Sequence, residues 1–191
     1  MISFSRRKLV RQAAERAYAR VVEQARQPVF FTRFGVPDTL DGRFELICLH
    51  AFLYLHRLKS ELPQTAAISQ AFFDTMFADM DRGLREMGTG DLSVGRHVKR
   101  MARGFYGRIR AYQDGLNDDD DAALRGAVAR NLFGTVGESA EAAPAMVDYI
   151  RFAAGRLARQ SAAELLDGKV GFPPPRRDRS SAEPAELAGL R

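Results

Sequence analysis

Apolar positions recur at helical spacing along most of the chain. Val10, Ala14, Ala17 and Val21 fall three or four residues apart, which predicts a helix over about 5–26 that Pro28 ends. Its stripe is thin and rich in alanine, so this helix is expected to dock loosely or on a partner. Pro28, Gly35, Pro37 and Gly42 mark the next stretch as irregular. Phe30, Phe31 and Phe34 are expected to pin it, with Asp38 or Asp41 capping the following helix. That second helix, about 42–60, has Phe44, Ile47, Ala51, Leu55 and Leu58 on one side. Leu46, Leu49, Phe52 and Leu53 cover most of the rest. A helix apolar nearly all round belongs at the centre of a fold.

A third helix, about 65–87, sets Phe73, Met76, Phe77, Met80 and Leu84 on one stripe and stops at Gly88 and Gly90. The fourth, about 94–113 with Ser93 as N-cap, opposes Val98, Met101, Phe105, Ile109 and Tyr112 to a basic face. The carboxylates of Asp118 to Asp121 favour the N-terminus of a fifth helix running to about 133. A sixth spans about 139–159 with Met146, Ile150, Ala153, Ala154 and Leu157 inward, and SAAELLDG adds a short turn. No segment alternates as a strand would, and no internal repeat is evident. The pattern predicts an all-α protein, a single domain of six or seven helices. Its organisation reads as a basic amphipathic helix over 1–27, a helical body over 28–168 and a disordered tail over 169–191.

Composition narrows the class. The 191 residues are 46% hydrophobic, with thirteen Phe and no Trp, enough for one core filled by Phe, Leu and Met. The longest apolar run, Leu46 to Leu55, is broken by His50 and falls short of the ~18 residues a membrane span needs. The start SRRKLV faintly resembles a twin-arginine signal. Arg11, Glu15, Arg16 and Arg20 follow it where a signal needs an apolar region, which points to a mature helix and a cytoplasmic protein. The lone Cys48 cannot form an internal disulfide or a cysteine-based zinc site and reads as a small core residue.

Charge is concentrated. The net charge is +5, yet residues 1–27 alone carry +5 and residues 95–110 carry +6, so the remainder carries −6. Two basic patches on a mildly acidic body favour an anionic partner: RNA, a lipid surface or an acidic protein. No DNA role is indicated.

Catalytic motifs fail on inspection. Gly90 to His97 comes within a step of the phosphate-binding G-x-x-x-x-G-K-[ST], but a helix precedes it where a strand is required. Arg96 replaces the lysine and His97 replaces the magnesium-binding hydroxyl. The glycines read instead as a helix joint. His50 and His56 stand six residues apart on different helix faces and cannot jointly hold a metal. Asp118 to Asp121 lacks the glycine and glutamate of a calcium loop. No catalytic residue, cofactor or metal is expected. Arg96, Lys99, Arg100, Arg103 and Arg110 form an all-basic face without alternating aromatics, which fits phosphate or acidic-protein contact better than base stacking.

Three segments go further. FGVPDTLDGRFELICLHAFLYLHRLK, MGTGDLSVGRHVKRMARGFYGRIRAY and ARNLFG together resemble the ubiquinol–cytochrome c chaperone family, over roughly Phe30 to Leu166. The resemblance implies a non-enzymatic helical assembly factor for the cytochrome bc1 complex. Its client would be cytochrome b or another bc1 subunit, bound through the second to fourth helices. His50, Tyr54 and Arg57 would supply the polar side of the client site, flanked by Arg96, Lys99, Arg103 and Tyr106. A ribosome or an anionic membrane surface is a further implied contact, which would make the protein cytoplasmic or peripheral on the cytoplasmic face of the inner membrane. The alternatives left open are an RNA- or ribosome-binding adaptor using the basic face, and an enzyme built in a helical pocket. Oligomeric state is not legible.

Overall fold

The computed structural model describes residues 4–134 and 142–175. Six long helices and two short ones make up the described residues: α1 (Phe4–Ala25), α2 (Val29–Thr32), α3 (Leu40–Lys59), α4 (Ala66–Glu86), α5 (Asp91–Asn117), α6 (Asp121–Leu132), α7 (Ala142–Ala158) and α8 (Ala162–Leu166). No strand occurs among them. The expected tail beyond residue 175, and the start of the expected sixth helix at 139–141, lie outside the described residues.

α3 is the axis of the fold, as its all-round apolar character predicts. It packs against α1, α5, α6 and α7. Leu46, Leu49, Phe52, Leu53, Tyr54 and Leu58 are all buried. The entry to α3 is fixed by two local devices. Thr39 caps it, its hydroxyl accepting from the Gly42 amide at 3.1 Å. Neither expected aspartate does so; Asp38 instead pairs with Arg43 at 2.6 Å. Gly42 is required because a Cβ there would stand 2.0 Å from the Pro37 carbonyl oxygen.

α1 docks tightly, not loosely. Ala13, Ala14, Ala17, Val21 and Ala25 are buried against α3 and α4, where small side chains let helix axes approach. Tyr18 joins them and donates to Asp79 on α4 at 2.8 Å. Arg16 reaches the carbonyl and carboxylate of Asp167 beyond α8. The linker is pinned as expected by Phe30 and Phe34, both fully buried, whereas Phe31 is half-buried.

α5 is longer than its periodicity suggests. It begins at Asp91, whose carboxylate suits a helix N-terminus, with Gly90 in the capping position. Ser93 is therefore inside the helix and donates back to the Gly90 carbonyl at 2.7 Å. At the far end Gly115 lets α5 lie directly on α6, since a Cβ would come within 2.7 Å of the Leu124 backbone. Asp120 caps α6 by accepting from the Ala122 amide. After α8, residues 169–173 run back over the core, with Val170 and Pro173 buried.

A groove at the end of α4 and a basic face on α5

The first three candidate residues lie inside the protein. His50 is fully buried. Its Nδ1 is 2.7 Å from the Leu46 carbonyl and its Nε2 is 2.8 Å from the Tyr149 hydroxyl. The tautomer that satisfies both contacts donates from Nδ1 to Leu46 and accepts at Nε2 from Tyr149. Gln24 in turn donates to the Tyr149 oxygen and to the Pro173 carbonyl. Phe30 and Phe172 meet the His50 ring edge-on, each at 5.2 Å. Burial pushes His50 down to about 4, so the ring is neutral at physiological pH. With both nitrogens engaged, it has no free position for a partner or a metal ion.

Tyr54 donates to the Leu165 carbonyl at 3.0 Å, and burial pushes its hydroxyl pKa up. Arg57 donates to the carbonyls of Leu157 and Gln160 at the end of α7, joining the Gln160 amide that already bonds the first. These three side chains do share one face of α3, as their spacing implies. That face is covered by α7, α8 and the returning chain. Their contacts fasten the C-terminal third to the central helix, so the polar groups expected on the client side are engaged within the fold.

The second group is exposed. Arg96, Lys99, Arg103 and Tyr106 all lie on the outward side of α5, with Arg100 beside them. Tyr106 is 59% exposed and stacks on Phe73 of α4, ring centroids 5.6 Å apart. The structure thus separates the candidate set into an internal cluster on α3 and an external one on α5.

Between these lies a feature that periodicity alone does not reveal. The apolar stripe of α4 outruns the core. Ile68, Phe72, Met76 and Phe77 are buried, while Met80 and Leu84 continue the stripe only half-covered. α5 mirrors this, with Phe105 and Tyr112 buried but Val98 and Met101 only partly so. Met80, Leu84 and Met101, with Phe31, Phe44 and Ile47 opposite, line an open groove of about 900 Å³. Leu40 and Met87 stand at its mouth, 65% and 56% exposed. Arg26, Arg43, His97 and Arg100 contribute basic groups to the lining, and Asp38, Asp41 and Asp79 acidic ones. His97 is held by a contact from its Nδ1 to the Ser93 carbonyl at 2.9 Å.

The walls of the groove are tied together. Glu45 on α3 and Arg108 on α5 form a two-pronged ion pair, Nε to Oε2 at 2.6 Å, and Arg108 also lies over the Phe44 ring. Burial pushes the Glu45 carboxyl above its usual range, and the guanidinium opposes that rise. Cys48 is buried nearby and its thiol is pushed up by desolvation, which leaves it inert. Among the described residues no group of three or more His, Cys, Asp or Glu is placed to hold a metal ion. No described helix is long and apolar enough to cross a membrane.

Comparison with known proteins gives a consistent result. The family model described as ubiquinol-cytochrome C chaperone matches residues 32–172. The ubiquinol-cytochrome c reductase complex assembly factor 1 of Mus musculus is 28% identical over 166 residues, 86% of this chain and 56% of its own length. The Homo sapiens protein of the same name is 28% identical, with 86% and 55% covered. The chain thus spans little more than half the length of these relatives. The crystal structure of the Cbp3 homolog from Brucella abortus matches with a TM-score of 0.78 and 37% identity, covering 89% of this chain and 94% of that one.

Proposed function

The chain belongs to the ubiquinol–cytochrome c chaperone family, and on that premise we propose that it is a non-enzymatic assembly chaperone for the cytochrome bc1 complex, with cytochrome b as client. The client segment would lie in the groove between α3, α4 and α5. One observation carries this reading: an open groove whose apolar lining includes Met80, Met87 and Met101. Thioether side chains are flexible and polarizable, so they adapt to varied apolar surfaces without a fixed lock. A groove of this size, rimmed by charge, suits a helical segment of a membrane protein held before assembly. The chaperone would act on the cytoplasmic side of the membrane in which its client resides, and residues 28–168 would form the working unit.

The test is genetic and spectroscopic. Deleting the gene is expected to remove the b-type haem band from reduced-minus-oxidised spectra of membranes and to abolish quinol–cytochrome c reductase activity. The wild-type gene should restore both. Leu40→Asp with Met87→Asp, changes at two exposed positions that leave the core intact, should restore neither. Normal haem content and activity in the deletion strain would sink the chaperone reading. Full rescue by the double variant would move the client site elsewhere.

A further inference from the structure

α5 carries four cations that the protein does not use internally. Arg96, Lys99, Arg100 and Arg103 are exposed, and among the described residues no carboxylate lies within ion-pair distance of them. Several exposed arginines elsewhere are paired, while Arg6, Arg7, Arg33 and Arg159 are not among the described residues; what marks α5 is four such cations on one helix face. Arg11 pairs with Glu15, Arg20 with Glu23, Arg82 with Asp79 and Arg85 with Asp81. The α5 stripe points away from the inward-facing Phe105 and Tyr112, so nothing in the fold requires it to be basic.

Two glycines stand among these cations, with open space at the Cβ position as at Gly83 and Gly155 on other helices. Gly95 and Gly107 lie on the same exposed side, and a Cβ at either would meet nothing within 4 Å. Glycine inside a helix costs about 1 kcal/mol against alanine. Neither the packing nor a positive φ accounts for that cost here. What the two glycines do provide is a low surface on which an external body can approach the helix closely.

We propose that this face of α5 binds an anionic phospholipid surface, the four cations contacting headgroup phosphates. Two observations favour lipid over RNA. Among the described residues the only aromatic side chain on the face is Tyr106, and one side of its ring is covered by Phe73, so no row of free rings is seen there for stacked bases. Tyr106 instead presents an amphipathic ring beside the cations, the residue type that settles at a membrane–water boundary. α1 is the other basic segment, and its exposed Arg6, Arg7 and Lys8 have, among the described residues, no aromatic side chain beside them comparable to Tyr106. Arg100 belongs both to the stripe and to the lining of the groove. Docking α5 on headgroups therefore brings the α5 wall of the groove beside the membrane, where a client entering the bilayer would be met. The purpose of the contact rests on the chaperone reading; its chemistry does not.

The experiment is co-sedimentation of the full chain with phosphatidylcholine vesicles, with and without phosphatidylglycerol. It contains no client and succeeds or fails independently of the bc1 phenotype. Binding is expected only with phosphatidylglycerol and should weaken with salt. Each Arg/Lys→Gln change at 96, 99, 100 or 103 should weaken it about fivefold. The quadruple variant should lose it while keeping the helical circular dichroism of the wild type. The quadruple variant binding as tightly as wild type would overturn the proposal. So would loss of binding on changing Arg6, Arg7 and Lys8 to Gln with α5 intact, which would assign the contact to α1. Salt-sensitive binding of poly(U) without vesicle binding would also overturn it, and would give the face to nucleic acid.

Discussion

Glu45 and Arg108 face each other across the joint between α3 and α5, and their two-pronged pair sits directly behind the groove. The glutamate side chain is 9% exposed and the arginine 23%. Removing only Arg108, as Arg108→Met, leaves a carboxylate with little water to solvate it. Allowing for the partial exposure of the pair, that should cost about 2–3 kcal/mol. Changing both residues to Met should recover most of the loss. Urea unfolding midpoints of the single and double variants check this; equal loss in both would mean the arginine acts through packing on Phe44.

His50 predicts a pH dependence. Its folded value is about 4 against an ordinary 6.5, so below pH 6.5 the unfolded chain binds a proton that the folded chain refuses. The stability contributed by the neutral ring is complete above pH 6.5 and is lost progressively as pH falls toward 4. The fall should reach about 3 kcal/mol. Denaturation at a series of pH values would show it, and His50→Gln should flatten that window. An unchanged slope in the variant would assign acid sensitivity to other groups.

Tyr54→Phe separates an internal role from a client-facing one. Loss of the bond to the Leu165 carbonyl should cost about 1 kcal/mol, because the carbonyl keeps the Gly168 amide at 3.1 Å. Assembly of the bc1 complex should persist at permissive temperature. A variant of wild-type stability that fails in assembly would return Tyr54 to the client surface.

Two glycines should respond in opposite directions. Gly42→Ala forces a Cβ against the Pro37 carbonyl and should destabilise by about 3 kcal/mol. Gly95→Ala meets open space on an exposed helix and should stabilise by about 0.5–1 kcal/mol, a rise of about 2–3 °C in melting temperature. Thermal melts of the pair settle both, and destabilisation by Gly95→Ala would show that this position has a packing constraint within the chain.

The helices themselves are legible in the sequence, because each has to hide a stripe and the stripe repeats every three or four residues. α3 is the clearest case: Leu46, Leu49, Phe52 and Leu53 leave it no solvent side. Capping is less legible. Thr39, Asp38 and Asp41 are all competent caps, and only the close passage of Pro37 over Gly42 selects the threonine. The internal fate of His50, Tyr54 and Arg57 is not legible at all. Spacing places them on one face, but the elements that cover it lie about a hundred residues further on. The groove is invisible for the same reason, since periodicity announces an apolar stripe and says nothing of where its cover ends.

That ending has a consequence for how the protein tolerates change. Met76 and Met80 stand one turn apart on α4, chemically identical and in the same stripe. The first is sealed in the interior and the second opens toward the groove. A polar replacement at Met76 would be purged because the chain could not stay folded. The same replacement at Met80 would leave a folded chain whose only defect is in what it can hold. Drift along α4 is thus policed by two different selections that meet within a single helical turn.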